Sequence, residues 1–301
     1  MFVRLWSFAL LTRPVFLLGG ALLYALGAAI AISAGVPIDW RRYLLGQAIV
    51  TSVQLTTHYA NEYFDFEADR LIGANRTWFT GGSGVLPGGL LPPNAALGAA
   101  RVCAIIAIVA IVAAATIEPA MSVIGALALL GGWFYSAPPV RLVASGFGEL
   151  TTALIVAFLA PLSGLVMQRG PVDVRLVAIT LPLVLMQMAM LVVVELPDLD
   201  ADARAGKRTL AVRTGRARAA LLHSVLLIAA FAATWIAAAI GWIHPRIPLW
   251  TLLVAPLAAW QFAGVLRHSY RGWRAHGVLA AGGVGLFAAT AAATFAGLVI
   301  G

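Results

Sequence analysis

Long apolar runs separated by short polar connections dominate the chain. Each run has about the 20 residues that a helix needs to cross a bilayer. The runs fall near 14–34, 44–64, 94–116, 119–136, 147–167, 175–196, 218–242, 248–266 and 277–299. More spans follow the first run, and no small-residue cleavage site ends it, so we interpret it as a membrane helix and not as a signal peptide. The pattern predicts an all-α polytopic membrane protein with nine transmembrane helices.

Composition supports this class. Hydrophobic residues make up 61% of the 301 residues and charged residues only 11%, whereas about a quarter of the residues in a soluble domain are charged. Helices in lipid associate through close packing of small residues, and the chain has 30 glycines. Its single cysteine, Cys103, excludes an internal disulfide and a multi-cysteine metal site.

The basic residues predict an orientation. The net charge is +8, but in a membrane protein this reports topology rather than nucleic-acid binding. Fourteen Arg and Lys residues flank the N-terminus and the connections after the second, fourth, sixth and eighth helices, and we interpret the last three, Arg267, Arg271 and Arg274, as topology signals only. The opposite side has five: Arg41, Arg42, Arg169, Arg175 and Arg246. The richer side is predicted to face the cytoplasm at the plasma membrane.

Acidic residues are concentrated in two stretches, 58–70 and 195–202, which hold eight of the twelve Asp and Glu residues. In the first, Asn61, Asp65 and Asp69 recur every four residues, and in the second Asp198 and Asp202 do. On a helix this spacing places the side chains on one face. Each stretch ends an apolar run on the predicted cytoplasmic side.

The positions of the two stretches predict an internal duplication. Each follows the second helix of a four-helix set, which gives pseudo-repeats at about 14–136 and 147–266 in a single domain spanning 1–301, with one helix left over. An even number of helices separates the stretches, so the repeats would be parallel, and parallel repeats place a shared site at their interface.

Paired carboxylates at a membrane boundary are oxygen ligands for hard cations such as Mg²⁺. Two pairs could bind Mg²⁺ ions that grip one diphosphate, and basic residues in the same connections could contact the diphosphate directly. These are Arg70, Arg76, Arg141, Arg204, Lys207 and Arg208. For any single residue, solvation of a helix end is the better interpretation, but clustered carboxylates and cations at this depth are usually functional.

Other motifs in the chain do not carry the function by themselves. The aspartates at 198–202 begin like a calcium loop, but Ala203 and Thr209 occupy its glycine and glutamate positions. The glycine-rich residues 81–84 lack the Lys of a phosphate loop, so we predict a flexible, tight connection. His58 either lines the cavity or is an ordinary, hydrogen-bonded helix residue.

Three motifs in order resemble the UbiA superfamily of intramembrane aromatic prenyltransferases. They are Asn61-x-x-x-Asp65-x-x-x-Asp69, then Tyr135-Ser136-Ala137-Pro138-Pro139-Val140-Arg141-Leu142 with Gly146-x-Gly148-Glu149, then Asp198-x-x-x-Asp202 with Gly206-Lys207-Arg208-Thr209-Leu210. The resemblance implies nine helices around a central cavity, Mg²⁺ bound by the two aspartate motifs, and transfer of a polyprenyl chain from its diphosphate to an aromatic ring.

The resemblance also implies residue roles. Asn61, Asp65, Asp69, Asp198 and Asp202 would be catalytic metal ligands; Arg70, Arg141 and Lys207, with Arg76 and Arg208 nearby, would contact diphosphate; and Tyr135 would lie beside the reacting end of the chain. Glu195 stands where many relatives have asparagine, which leaves its ligand role open. The loop at 75–84 is closer to the naphthoate branch, which makes menaquinone, than to the hydroxybenzoate branch.

Two other functions are alternatives for the same sequence features. A secondary transporter would have ionisable residues near the middle of its helices, whereas this chain has them at helix ends. A lipid-binding scaffold would not need complete ligand sets in both motifs. The acceptor stays open between 1,4-dihydroxy-2-naphthoate, 4-hydroxybenzoate, homogentisate and another lipid acceptor.

Overall fold

The structure is a computed structural model that describes residues 2–73, 76–267 and 273–300. Arg271 lies outside these residues, and nothing is described of the side chain of Arg274. The regular elements of the described residues are all helical. They are α1 (Phe2–Leu11), α2 (Pro14–Ser33), α3 (Trp40–Phe64), α4 (Phe66–Ile72), α5 (Pro93–Ala115), α6 (Ala120–Ser136), α7 (Leu142–Ser145), α8 (Gly148–Met167), α9 (Val174–Glu195), α10 (Leu199–Arg204), α11 (Leu210–Thr214), α12 (Arg216–Ala239), α13 (Arg246–Leu266) and α14 (Trp273–Val299).

The predicted all-α membrane architecture is confirmed, but its span count is not. Each predicted run lies on a helix, yet only seven of the described helices are both long enough and apolar enough to cross a membrane: α2, α5, α8, α9, α12, α13 and α14. Helix α3 has 25 residues but carries many polar ones, and α6 is apolar but has only 17 residues. Both helices reach the predicted site, but only α3 fails as a span because of its polar side chains, whereas α6 fails on length alone.

Helices α2 and α8 approach each other closely through glycines. A Cβ atom at Gly27 would overlap the backbone carbonyl oxygen of Pro161, and one at Gly164 would overlap that of Tyr24. Because lipid gives helices no hydrophobic reason to associate, such backbone contact supplies the dispersion energy that holds them together. This agrees with the small-residue packing predicted from composition.

We expect Gly27→Ala to destabilise the protein by about 2 kcal/mol, since a buried methyl group without space forces the helices apart. A lower melting temperature in detergent would show this. Gly19→Ala is the matched control in the same helix, because no atom lies within 4 Å of its added Cβ. Equal melting temperatures for the two variants would contradict the close approach.

The helices form one bundle in which the two acidic stretches meet. Helix α3 packs against α5 and α6, α9 packs against α12 and α14, and α14 packs against α2. The short helix α4 follows α3, α10 follows α9, and these two short helices contact each other. The ends of the second and sixth predicted spans therefore lie side by side. The pseudo-repeat boundaries stay a prediction.

Candidate active site

The first acidic motif bends without losing its helical spacing. Helix α3 ends at Phe64 and α4 begins at Phe66, so Asp65 lies at the junction. The amide of Asp65 still donates to the Asn61 carbonyl at 2.9 Å, and the amide of Asp69 donates to the Asp65 carbonyl at 2.9 Å. The three predicted ligands therefore stay one turn apart, and both aspartates are buried.

The second motif turns back on itself. Asp198 precedes α10, and the Asp202 amide donates to its carbonyl at 2.8 Å. After α10, Gly206 adopts a left-handed φ of +74°, a conformation that costs glycine little. The Lys207 amide then donates to the Asp202 carbonyl at 2.9 Å. This turn buries the Lys207 side chain among the acidic residues.

Lys207 joins the two motifs directly. Its Nζ lies 3.0 Å from Asp65 Oδ2 and 3.5 Å from Asp202 Oδ1. Burial opposes the charge of Lys207, but Asp65 and Asp202 outweigh that effect and raise the pKa of Lys207 above its usual range. One ammonium thus bridges carboxylates that are 137 positions apart in the sequence.

The carboxylates of the site have too few positive partners. Burial raises the pKa of Asp69 to about 8, and Asp65 adds to the shift. Burial also raises the pKa of Asp198 to about 7, and Asp202 adds to that shift. Buried atoms Asp65 Oδ1 and Asp198 Oδ1 have no hydrogen-bond partner among the described residues. Buried carboxylate oxygens with so few positive charges and hydrogen-bond donors around them are suited to binding a cation.

A single ion would need further ligands. Within the described part of the chain, no three His, Cys, Asp or Glu side chains are grouped so that they could hold one ion by themselves. Mg²⁺ commonly takes one or two carboxylates and fills its other positions with water and phosphate oxygens. The donor set therefore fits ions that are shared with a phosphate ligand.

The other predicted basic residues do not contact the carboxylates of the motifs. Arg70 is exposed and pairs with Glu67 at 3.3 Å. The Arg76 guanidinium packs on Gly84, where it faces the glycine-rich loop. Arg208 is exposed, and only its backbone amide is anchored, to the Ala144 carbonyl at 3.1 Å.

Arg141 lies in a separate cleft of about 410 Å³ beside α4. The cleft is lined by Phe64, Glu67, Ala68, Leu71, Pro138, Arg141 and Ala205. Positions 64, 68 and 71 each precede one of Asp65, Asp69 and Ile72, so the cleft borders a helix face about 100° away from the two carboxylates. Arg141 thus lies beside the motif, next to the face that carries its carboxylates.

Helix α6 adds polar groups and an aromatic ring to the site. The Asn61 side-chain amide donates to Asp65 Oδ2 at 2.6 Å and to Ser136 Oγ at 2.8 Å, which leaves its oxygen for a ligand. The ring of Tyr135 lies against Gly148, where a Cβ would come within 3.2 Å of it. Other aromatic side chains near the motif, Tyr59, Tyr63 and Phe64, pack with Trp133 in an apolar cluster.

Glu149 is a buried carboxylate that sequence reasoning noticed only as part of a motif. Its Oε1 accepts the Leu210 amide at 2.5 Å, which anchors the segment that follows Lys207. Its Oε2 and Glu195 Oε2 have no partner among the described residues. Glu195 interacts electrostatically with Glu149 and Asp202, so its role as a metal ligand stays a prediction.

The glycine loop, residues 81–84, was predicted to be a flexible, tight connection, and the structure shows in addition that it contacts both acidic stretches. The Gly81 amide donates to Asp198 Oδ2 at 3.0 Å, and the Ser83 amide donates to Glu62 Oε1 at 2.7 Å. Nothing in the sequence of the loop predicted these contacts.

His58 was predicted either to line the cavity or to be an ordinary, hydrogen-bonded helix residue. The structure shows the second, because its Nδ1 lies 2.9 Å from the Thr12 carbonyl oxygen.

A family model described as the UbiA prenyltransferase family matches residues 21–276. The chain belongs to the UbiA prenyltransferase family. It is therefore an integral membrane prenyltransferase, as the resemblance of the motifs implied. Family membership decides against the transporter and scaffold hypotheses.

Curated relatives agree with this family. The 1,4-dihydroxy-2-naphthoate octaprenyltransferase of Mycobacterium tuberculosis is 30% identical over 215 residues, which cover 70% of each chain. The enzyme of the same name from Bacillus subtilis is 24% identical over 233 residues, covering 77% of this chain and 71% of the relative.

Solved structures share the fold of this UbiA-family chain. Digeranylgeranylglyceryl phosphate synthase superposes with a TM-score of 0.63 at 17% identity, covering 99% of both chains. A UbiA homolog from Archaeoglobus fulgidus bound to GPP and Mg²⁺ superposes with a TM-score of 0.63 at 18% identity, covering 95% of this chain and 99% of that one.

Proposed function

We propose that this UbiA-family enzyme transfers a polyprenyl chain from its diphosphate to 1,4-dihydroxy-2-naphthoate in menaquinone biosynthesis. The reaction would use Mg²⁺ at the cytoplasmic end of the bundle, in the plasma membrane. The observation that carries the proposal is the bridge from Lys207 to Asp65 and Asp202, because it brings both acidic motifs to one place. Relatives named for the naphthoate reaction support the choice of acceptor.

Asn61, Asp65, Asp69, Asp198 and Asp202 would hold the Mg²⁺ ions. When bound, Mg²⁺ neutralises the negative charge that develops on a departing diphosphate. Lys207 already lies among these side chains and would contact the same anion once a cation relieves its carboxylate partners. A homolog of the same fold is described as bound to GPP and Mg²⁺, which supports this use of the site.

The remaining basic residues would complete the contacts with the diphosphate. Arg76 is exposed and packs on the glycine loop, and Arg141 lies in the cleft beside α4. Arg70 and Arg208 are exposed in the structure and would have to turn inward to reach the diphosphate. Arginine suits this role because its planar fork matches phosphate oxygens.

Ionisation of an allylic diphosphate leaves a carbocation that water would capture, so the reacting carbon needs a dry site. Apolar helices surround the acidic cluster, and Tyr135 could present its π face to the cation. A carbon of the acceptor ring would then form the new carbon–carbon bond and lose the group it carried, either a proton or a carboxylate that leaves as carbon dioxide, so that the ring becomes aromatic again. The isoprenoid tail would extend into lipid, which explains why the enzyme lies in the membrane.

We expect purified protein in lipid nanodiscs to release pyrophosphate only when Mg²⁺, a polyprenyl diphosphate and an aromatic acceptor are all present. Radiolabelled prenyl diphosphate, with 1,4-dihydroxy-2-naphthoate, 4-hydroxybenzoate and homogentisate in parallel, measures both product and preference. Excess EDTA should abolish product formation. Faster turnover of 4-hydroxybenzoate or homogentisate would reassign the acceptor, and the absence of product with all three would reject the proposed function.

A further inference from the structure

Glu62 is a buried carboxylate next to the first motif that the proposed chemistry does not use. It is 1% exposed. Its Oε1 accepts Arg13 Nε at 3.1 Å and the Ser83 amide at 2.7 Å, and its Oε2 accepts the Ser83 hydroxyl at 2.7 Å. Arg13 Nη2 also donates to Oε1. Both oxygens are therefore engaged by protein donors.

These bonds join three segments of the chain. Glu62 comes from the last turn of α3, Arg13 precedes α2 with a left-handed φ of 50°, and Ser83 belongs to the glycine loop. Charge-assisted hydrogen bonds of this kind are about twice as strong as neutral ones. Burial of the Glu62 side chain adds to the effect, because water does not reach its carboxylate oxygens.

The glycine loop contacts both acidic motifs on its other side. The Gly81 amide donates to Asp198 Oδ2 in the second motif. A Cβ at Gly82 would overlap Asp69 Oδ2 in the first motif, so the loop backbone touches that carboxylate. Gly81, Gly82 and Gly84 all have φ between 68° and 75°, which keeps the loop this close.

We propose that Glu62 is a positioning residue for the glycine loop. By fixing Ser83 it sets Gly81 against Asp198 and Gly82 against Asp69, and so fixes the two motifs relative to each other. It contacts neither substrate nor cation. The consequence for catalysis rests on the proposed function, whereas the consequence for the loop does not.

The test uses the double variant Arg13→Met/Glu62→Leu. Replacing a buried ion pair by apolar residues leaves no unpaired charge and is often neutral for stability, while it removes every acceptor for Ser83. The matched control is Glu67→Leu, five positions along, which removes an exposed carboxylate paired only with Arg70 among the described residues. If the double variant does not fold, Ser83→Ala replaces it in the test, because this variant keeps the ion pair and removes the bond from the Ser83 hydroxyl to Glu62 Oε2.

Hydrogen exchange of the metal-free protein gives a readout that does not depend on activity. We expect the amides of both Gly81 and Ser83 to lose protection in the double variant and, less strongly, in Ser83→Ala, with no change in Glu67→Leu. A purely local structural role would expose Ser83 and leave Gly81 protected. That result, or unchanged protection at both amides, would overturn the inference.

Activity supplies the second readout. We expect the Mg²⁺ concentration for half-maximal turnover to rise about tenfold or more in the double variant relative to the native protein, as for other residues that orient metal ligands. If the native protein forms product and the double variant needs the same Mg²⁺ concentration as the native protein, the inference about Glu62 fails while the proposed function stands. If the native protein turns over no acceptor, the proposed function fails and the exchange result still decides the role of Glu62.

Discussion

Asp198→Asn is expected to reduce turnover by about 100-fold or more while leaving the metal-free protein as stable as before, or more stable. Loss of an oxygen ligand weakens cation binding by at least as much as loss of a group that merely orients one. Stability should not fall, because burial and the neighbouring Asp202 already disfavour the charged form of Asp198 and raise its pKa to about 7. Product formation and thermal melting in EDTA measure the two effects.

Asp200→Asn is the matched control for this variant. Asp200 lies two positions further on, within α10, but it is exposed and pairs with Arg216 at 3.2 Å. Its variant should keep both activity and melting temperature. Asp65→Asn in the first motif should lose activity like Asp198→Asn. Full activity in both motif variants would remove the assigned metal role.

Lys207→Met is expected to lose activity and also to destabilise the metal-free protein by about 3 kcal/mol or more. The reason is that removal of one partner from a buried ion pair leaves its carboxylates without compensation. Lys207 is 7% exposed, so water cannot replace the ammonium for Asp65 and Asp202. Melting in EDTA measures the loss of stability. Added Mg²⁺ should raise the melting temperature of the variant more than it raises that of the native protein.

Arg218→Met provides the comparison for Lys207→Met. Arg218 is exposed near the start of α12, and its loss should change neither melting temperature nor activity. An unchanged melting temperature for Lys207→Met in EDTA would mean that the bridge between the motifs contributes nothing to the fold.

The sequence alone was sufficient for the helices and for the spacing of the motifs. Apolar runs of spanning length need no partner to be recognised, because every backbone group in lipid must be satisfied within its own helix. The recurrence of Asn61, Asp65 and Asp69 at four-residue intervals is likewise local, and the structure retains it across the bend at Asp65. The family could also be inferred, because its three motifs are contiguous stretches of sequence.

Only the tertiary structure decided which charges meet. Arg70 and Lys207 looked equivalent as basic neighbours of an acidic motif, but Arg70 is exposed beside Glu67 while Lys207 lies between the two motifs. Glu62 and the glycine loop were likewise joined by folding, across 21 positions of sequence. Spacing along one helix determines the face of a side chain, whereas a contact between distant segments depends on how the helices pack.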